Sequence, residues 1–359
     1  MSLSTRQPNN ALPFEVLGVI FQNTASDDYC EYDEDPLALE RLSVVCRTWR
    51  NAAISQPQLW ARIRISPDHP NFSSHNFWIQ YLQIRLYRAG WSQPLDIRFE
   101  RMRGTAATPL PGHLDFPPRI TGPTGEIATR WRSLTISFGF FPNIVTHRLL
   151  SFRTPRLTHL KAYIHHMEGA TLLPQAPNLN SLELFGQLQL PNGLYPSITT
   201  LKLVGVISKY ALDRFAAPNL RELVLFARSS TDLRKVLRCE GIPLARLETL
   251  RLGSPAYIED TSKFVYLDAI SELLHACCDL QRLEFLDTLM AEMILKLLER
   301  EVDPVMVERP RYGPLQLEFR HIRAKLGYGF ERHKNVDHIR KLMCITSTGT
   351  SWERLFQQC

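Results

Sequence analysis

The amino-acid sequence predicts an α+β protein, with a small helical module at the N-terminus followed by a larger region of repeated strand-forming units. Two observations predict this class. In the first sixty residues, apolar side chains recur at the three- and four-residue spacing of helices. From about residue 131 onward, a short pattern of alternating leucines returns repeatedly, and units of that kind bury their apolar faces only by stacking on one another.

The composition is that of a globular protein. The chain has 359 residues, of which 44% are hydrophobic and 22% are charged, and this length suggests one to three domains. No apolar run reaches about 18 residues, so we expect no membrane span. The first ten residues are polar and do not look like a secretory signal, so a cytoplasmic or nuclear location is the expectation.

The cysteines predict neither a disulfide framework nor a zinc site. Seven are present, an odd number, and no two are spaced as Cys-x-x-Cys. His165 and His166 are adjacent near the end of a predicted strand, where neighbouring side chains face opposite ways and do not chelate one ion. We expect no metal, no cofactor and no catalytic site, and therefore no enzyme.

The net charge of +6 is unevenly distributed. Six acidic residues and no basic one lie between Asp27 and Asp35, while seven Lys or Arg lie between Arg320 and Lys341. The basic stretch is typical of a solvated helix face, but it also fits a site for nucleic acid or an acidic partner. Both interpretations remain open at this point.

The first helix of the N-terminal module is predicted over residues 12–21. Pro13 suits the first helical position, where its missing N–H costs nothing. We expect one apolar face in this helix, made of the following side chains: Val16, Leu17, Ile20 and Phe21. A second helix follows Asp35-Pro36, and a third runs from Cys46 to Ile54, before Pro57.

Together these segments resemble the F-box, and in particular the F-box-like modules at the N-termini of many fungal proteins. The resemblance covers about residues 10 to 65. It is carried by the following pattern: Leu12-Pro13-x-Glu15-x-Leu17-x-x-Ile20-Phe21, then Leu42-x-x-Val45-Cys46-Arg47-x-Trp49-Arg50, then Pro57-x-Leu59-Trp60. The acidic loop at residues 26–35 is longer than in a compact F-box.

The resemblance implies a partner. F-box proteins bind a Skp-type adaptor, which links them to a cullin in a ubiquitin ligase. By position, it implies the following adaptor contacts: Leu12, Pro13, Leu17, Ile20, Phe21, Val45 and Trp49. Several of these side chains, Ile20 and Trp49 above all, fit the interior of the module equally well. Leu12 and Pro13, at the exposed start, are expected to lie in the interface.

The repeated unit is Pro-x-Leu-x-x-Leu-x-Leu. Its copies begin at Pro155, Pro177, Pro196 and Pro218, and looser copies begin at Trp131, Leu247 and Leu280. These units resemble irregular leucine-rich repeats, and the resemblance implies an α/β solenoid with a curved parallel sheet. The predicted organisation is as follows: residues 1–10 a disordered N-terminus, 11–65 the three-helix F-box-like module, 66–130 a connecting segment with the start of the solenoid, 131–345 the repeat domain, and 346–359 a C-terminal tail.

Other elements are predicted outside or between the repeats. They are a helix over 77–89, a strand over 94–99, an irregular loop over 103–125, helices over 266–274, 291–300 and 335–343, and a strand over 315–319.

The repeat register predicts a binding surface. If the second and third leucines of each unit point inward, the residues between and beside them point outward onto the concave face. The target-binding candidates on that face are His159, Lys161, Tyr163, Glu183, Phe185, Lys202, Val204, Glu222, Phe226, Arg251 and Arg282. One predicted column is apolar, through Tyr163, Phe185, Val204 and Phe226. That column is either a partner site or is covered by other parts of the chain.

These expectations lead to a hypothesis about function. The chain is predicted to be the substrate-recognition subunit of an SCF-type ubiquitin ligase, with the F-box-like module on the adaptor and the repeats on a target protein. The alternatives are a scaffold that acts outside a ligase and, less favoured, a nucleic-acid binder that uses residues 320–341.

Overall fold

A computed structural model describes residues 12–24, 37–66, 74–100, 113–137, 139–164, 173, 175–188, 191–207, 212, 214–227, 229–253, 263–286 and 316–318. The chain divides into two compact units, Met1–Tyr163 and Ile164–Cys359. Several predicted features lie outside the described residues: the disordered N-terminus, the acidic loop, the His165-His166 pair, the helices over 291–300 and 335–343, the basic stretch and the C-terminal tail.

The first unit combines helices with a parallel sheet. Its elements are α1 (Phe14–Thr24), α2 (Ala38–Leu42), α3 (Arg47–Ile54), α4 (Pro57–Trp60), β1 (Arg62–Ile65), α5 (His75–Ala89), β2 (Leu95–Phe99), α6 (Phe116–Thr121), β3 (Trp131–Ile136), α7 (Asn143–Leu150) and β4 (His159–Ile164). The strands pair in the order β1, β2, β3, β4, all parallel. Each connection between successive strands of this unit contains a helix, the usual crossover between parallel strands.

The sheet of the first unit begins inside the predicted module. Strand β1 pairs with β2 from Arg62↔Asp96 to Ile65↔Phe99, so the end of the stretch 11–65 is already part of a sheet. Ile63 and Ile65 are buried. The predicted helix over 77–89 and the predicted strand over 94–99 are confirmed as α5 and β2.

The irregular loop predicted over 103–125 is wrong in its second half. Residues 113–115 form a 3-10 turn and α6 follows directly. Two prolines occupy the first turn of α6, where they cost no hydrogen bond. Phe116 and Ile120, four residues apart, are both buried on one side of the helix. The proline and glycine content of the segment concealed this apolar pair.

The second unit is built on a second run of parallel strands. Its elements are β5 (Ser181–Leu188), β6 (Gly193–Leu194), β7 (Thr200–Ile207), β8 (Phe215–Ala216), β9 (Glu222–Ala227), α8 (Ser230–Leu237), β10 (Thr249–Leu252), α9 (Lys263–Ala276), β11 (Arg282–Phe285) and β12 (Gln316–Glu318). Strands β5, β7, β9, β10, β11 and β12 pair in that order. Strands β6 and β8 pair separately with each other. The predicted helix over 266–274 and strand over 315–319 correspond to α9 and β12.

The repeated prolines have a structural reason. Each lies directly after the first residue of a tight turn, and the anchor residue that ends the turn donates its N–H back to that first carbonyl: Leu179 to Ala176 O (3.2 Å), Ile198 to Tyr195 O (3.3 Å) and Leu220 to Ala217 O (3.1 Å). Proline favours this second turn position because its φ is fixed at the required value. The sequence repeat is therefore a repeated turn that leads into a strand.

Candidate functional site

Helix α1 has two different apolar faces. Leu17 and Phe21 are buried, and the Phe21 ring packs edge-on against Trp49 of α3, with centroids 5.6 Å apart. Val16 is exposed, as is Val19. The prediction of a single apolar face through Val16, Leu17, Ile20 and Phe21 is therefore wrong. Val16 and Phe21 lie about 140° apart around the axis, because successive helical residues are about 100° apart.

The exposed side of α1 carries a continuous apolar surface. Pro13, Val16, Val19 and Ile20 lie within one arc of the helix and are defined here as the outer face of α1. Val19 is 55% exposed. Pro13 is exposed, and Ile20 is half-buried. Leu12, half-buried, directly precedes this face. An apolar helix face of this kind is suited to contact with another protein.

A second exposed apolar site lies in the turn between α2 and α3. Val44 is 68% exposed and Val45 is 49% exposed. Of the predicted adaptor contacts, Pro13 and Val45 are therefore accessible, whereas Leu17 and Phe21 fill the interior in this structure. Trp49 is half-buried beneath the Phe21 ring. Val16, Val19 and Val44 were not among the predicted contacts, because their apolar type alone does not show which side of the helix is covered.

Gly18 of α1 is buried against the side chain of Gln56, the residue before α4. A Cβ at this position would lie 2.6 Å from Nε2 of Gln56, and because that atom ends a flexible side chain it could move aside. The glycine itself costs roughly 1 kcal/mol in a helix.

The N-terminal helices are held to the rest of the first unit by Arg85 of α5. This side chain is 5% exposed, and its guanidinium binds the Glu40 carboxylate through two hydrogen bonds of 2.8 Å. It also donates to the carbonyls of Leu59 (3.2 Å) and Arg62 (3.1 Å). Arg85 therefore joins α2, α4 and β1 to α5 in one buried centre.

Aromatic rings complete this centre, which we call the Arg85 clamp. The guanidinium lies over the rings of Tyr81 and Trp60, at 5.0 and 5.2 Å. Burial raises the pKa of Tyr81, although the Arg85 charge acts against that change. Burial by itself lowers the pKa of Arg85, but its interactions with Tyr81 and Glu40 outweigh this effect and the pKa is raised. Arg85 is therefore charged whenever the module is folded.

In the second unit, the predicted columns lie in register across neighbouring strands. Ser181 pairs with Thr200, and Thr200 in turn with Glu222. The same pairing aligns Glu183 with Lys202 and Phe185 with Val204. The second and third leucines of each unit are buried, as predicted: Leu182, Leu184, Leu201, Leu203, Leu223, Leu225, Leu250 and Leu252. The predicted target-binding residues of this unit are half-exposed on the opposite side of the strands.

Most charges on this face pair with one another. Arg251 Nε lies 3.2 Å from Glu222 Oε1 and 2.9 Å from Glu284 Oε2. Arg282 Nε lies 2.6 Å from Glu284 Oε1. These four residues form what we call the charge ladder across β9, β10 and β11. Glu284 is 3% exposed, and a buried carboxylate of this kind is costly unless it has partners such as these arginines. Glu183 and Lys202 form a further pair at 3.3 Å.

An apolar stripe runs beside the charges, made of Phe185, Val204 and Phe226. Val204 pairs with Phe185 on one side and with Phe226 on the other. The Lys202 ammonium lies 5.5 Å from the Phe185 ring centre. The Phe226 ring covers Gly253, where a Cβ would lie 2.1 Å from Cε1 of the ring. All three side chains of the stripe are half-buried, and they form the least charged part of this face.

The remaining predicted contacts belong to the first unit. His159 aligns with Ser133, and Lys161 with Thr135, through the pairing of β3 and β4. His159 is exposed, while Lys161 and Tyr163 are half-buried on the same side of β4. Their part in target binding stays a prediction.

In the part of the chain that the structure describes, no group of three His, Cys, Asp or Glu side chains is close enough to hold a metal ion. None of its helices has both the length and the apolar composition needed to cross a bilayer.

Comparison with known proteins identifies the N-terminal region. Residues 10–66 match the family model described as F-box-like. The matched region contains α1, α2, α3, α4 and β1, together with the outer face of α1. No curated protein matches the chain. The chain therefore carries an F-box-like domain, and the match covers a small part of its length.

Proposed function

We propose that the chain is a target-recognition subunit of an SCF-type cullin–RING ubiquitin ligase. In this proposal the F-box-like domain docks a Skp-type adaptor, and the strand repeats, as a leucine-rich-repeat solenoid, bind a target protein. The subunit performs no chemistry itself. It raises the effective concentration of its target beside the ligase, in the cytoplasm or nucleus.

The observation that carries the proposal is the F-box-like domain at residues 10–66, because domains of this class generally bind Skp-type adaptors. Its geometry supports docking. The outer face of α1, through Val16 and Val19, presents exposed apolar side chains, as do Val44 and Val45 in the turn between α2 and α3. Burial of such side chains is the main source of affinity in protein interfaces.

The adaptor proposal is tested by co-purification and by a binding titration with a Skp-type adaptor. We expect Val19→Asp to weaken binding at least tenfold, about 1.4 kcal/mol or more, because it places a charge in an apolar contact. A Leu12→Ala/Pro13→Ala double variant is expected to act in the same direction. Ile144→Asp is the matched control, since Ile144 is 66% exposed on α7, outside the matched region.

A folded wild-type chain that does not bind the adaptor would overturn the proposal. Equal loss of binding in Val19→Asp and Ile144→Asp would also count against it. If the adaptor binds but no cullin is recruited and no target is turned over in cells, the chain is a scaffold that acts outside a ligase.

Target binding is proposed for the half-exposed face of the second unit. The charges of the charge ladder and of the Glu183–Lys202 pair are already neutralised by one another, so a partner would gain little from them. The apolar stripe is therefore the part of this face whose burial would contribute most to binding. Val204→Asp is expected to release target proteins while adaptor binding is unchanged. Leu194→Asp, at an exposed position of β6, is the control.

A further inference from the structure

The first unit contains a cavity that is separate from the outer face of α1. It has a volume of about 430 Å³ and is lined by parts of three loops. The loop after α5 contributes Trp91, the turn before β3 contributes Glu126 and Arg130, and the turn before β4 contributes Arg156. A space of this size holds one or two amino-acid residues. We call it the Trp91 cavity.

A buried cation lines the Trp91 cavity. Arg130 is 7% exposed, and it donates from Nε to the Gln93 carbonyl (3.1 Å) and from Nη2 to the Gly90 carbonyl (2.5 Å). Within the described residues, its other terminal nitrogen, Nη1, has no acceptor, and no carboxylate pairs with the guanidinium. A buried charge without a counter-charge is costly unless a ligand supplies one.

Arg156 is a second cation in the lining of the Trp91 cavity, beside Arg130. Arg156 is exposed and donates from Nη1 to the Ser92 carbonyl (3.2 Å), so both arginines are fixed on the loop that carries Trp91. Burial lowers the pKa of Arg130, and the positive charge of Arg156 lowers it further. The two cations therefore repel each other, and an anion placed between them would relieve this repulsion. Arginine pairs favour carboxylate and phosphate groups for this reason.

An aromatic ring stands at the edge of the same cavity. Trp91 is 82% exposed, an unusually high fraction for a tryptophan. The backbone on both sides of it is held by hydrogen bonds from Arg130 to Gly90 and from Arg156 to Ser92, so little backbone ordering is needed when a ligand packs on the ring. Exposed tryptophans and arginines on a rigid frame are enriched among residues that dominate binding energies.

The negative charge of Glu126 limits which anionic ligands fit the Trp91 cavity. Hydrogen bonds from the backbone N–H groups of Glu126 and Thr124 lower the pKa of this carboxyl, so it is ionised at neutral pH. A negative group on the wall disfavours a chain of phosphates, such as a nucleic acid. An acidic peptide is complementary to both kinds of group, because it can place one anionic group at the two arginines and offer backbone N–H donors to the Glu126 carboxylate.

We propose that the Trp91 cavity binds an acidic peptide, with one carboxylate or phosphate group at Arg130 and Arg156 and the adjoining apolar side chain on Trp91. The site goes beyond the ligase proposal, because it requires neither the adaptor nor the outer face of α1. It is a second recognition site within the first unit.

The test uses the purified full chain without adaptor and four probes, titrated by ligand-observed NMR. The probes are acetyl-Asp-Phe-amide, acetyl-phosphoserine-Phe-amide, acetyl-Asn-Phe-amide and adenosine monophosphate. We expect the Asp or the phosphoserine peptide to bind at least tenfold more tightly than the Asn peptide, which has the same shape without the charge. Which of the two binds better distinguishes an acidic residue from a phosphorylated one as the source of the anion.

Two variants locate the site. Arg156→Gln and Trp91→Ala are each expected to weaken the better peptide about tenfold, while Arg153→Gln and Tyr87→Ala, at exposed positions outside the cavity, leave it unchanged. These variants avoid Arg130, whose loss removes two buried hydrogen bonds. The proposal is overturned if no acidic peptide binds, if the Asn peptide binds equally well, if both cavity variants bind like the wild type, or if the nucleotide binds more tightly than either peptide.

Discussion

Gly205 lies where two strands of the second unit approach each other closely. It pairs with Gly186, and both have positive φ, +137° and +105°. A Cβ at position 205 would be 2.0 Å from the Gly186 carbonyl oxygen, a distance that requires the backbone to move. The sequence places glycines at equivalent positions of two repeats because no other residue fits this contact.

We expect Gly205→Ala to lower the free energy of unfolding by about 3 kcal/mol, through backbone strain and collision together. Gly193→Ala is the matched control, since φ is +132° there but the nearest atom is 3.6 Å away, on the Tyr195 ring. It should cost about 1 kcal/mol, from strain alone. Equal losses in chemical denaturation would show that crowding at Gly186 has no part.

Cys277 and Cys278 are neighbours in sequence but differ in exposure. Cys277 is buried and Cys278 is exposed. Burial, with a smaller contribution from the Cys278 charge, raises the pKa of Cys277 to about 12. The folded state therefore holds this proton more tightly than the unfolded state. The resulting stability is present below about pH 9 and is lost as the pH rises toward about 12.

At pH 8 we expect iodoacetamide to modify Cys278 and to leave Cys277 untouched. Cys277 is protonated at this pH, so it offers no reactive thiolate, and its sulfur is buried. Denaturant should make both react. Tandem mass spectrometry of the peptide that contains them separates the two positions. Equal modification in the native protein would contradict the burial of Cys277.

At the scale of elements, helix α8 is anchored by one buried carboxylate. The Asp232 side chain accepts hydrogen bonds from the Ile207 N–H (3.2 Å), at the end of β7, and from the Ser229 hydroxyl (3.0 Å). Lys235 pairs with it from the next turn at 3.1 Å. In return, Ser229 Oγ caps the helix by accepting the Asp232 N–H. Asp232 therefore fixes the start of the helix to the strand that it covers.

Asp232→Ala is expected to lower the free energy of unfolding by about 3 kcal/mol, because it leaves the Ile207 N–H and the Lys235 charge without their buried acceptor. Asp268→Ala, at an exposed position of α9, should change it by less than about 0.5 kcal/mol. Urea denaturation of both variants measures the difference. A similar small effect for both would mean that α8 is held by its apolar side alone.

The elements differ in how far the sequence predicts them. Strands β5, β7 and β9 were predictable because the same proline and leucine alternation return at each of them, so the copies support one another. Strands β6 and β8 belong to no repeat and were not predicted. Helix α1 was predictable as a helix, but its two faces were not. Valine, leucine, isoleucine and phenylalanine are all apolar, and only the packing of Phe21 on Trp49 decides which side becomes the outer face.

Within the first unit as a whole, the Arg85 clamp shows what supports the small F-box-like domain. About fifty residues make a small core, which usually needs support from a neighbour. Here α5 supplies it, because the guanidinium groups of Arg85 and Arg88 lie over the Trp60 ring, at 5.2 and 4.1 Å from its centre. The proposal of an adaptor is therefore supported by the exposed outer face of α1 and not by the small size of the domain.

We expect Arg85→Met to lower the free energy of unfolding by about 4 kcal/mol, since it leaves Glu40 partly buried without its partner. Arg47→Met, at an exposed position of α3, is the control and should change little. Limited proteolysis should then cleave α1 to α4 faster in Arg85→Met than in the wild type. Unchanged cleavage would show that apolar packing alone holds these helices to α5.

The clamp was beyond sequence reasoning for a physical reason. Glu40 and Arg85 are separated by 45 positions, and no local period relates them. The same holds for the Trp91 cavity, whose arginines come from two turns that only the folded sheet brings together. The sequence carries the pattern of each strand and turn, but it does not carry which charged side chains meet between them.

The charge ladder has a consequence for how this surface can change over generations. Glu284 contacts Arg251 and Arg282 at once, so its replacement removes two ion pairs together. A substitution at Glu284 therefore disturbs β10 and β11 at the same time, which makes this part of the face slow to diversify. The apolar side chain of Val204 in the stripe forms no ion pair and can be exchanged without a compensating change of charge. During evolution, new binding preferences would therefore arise first by substitutions in the apolar stripe, while the charge ladder continues to link β9, β10 and β11.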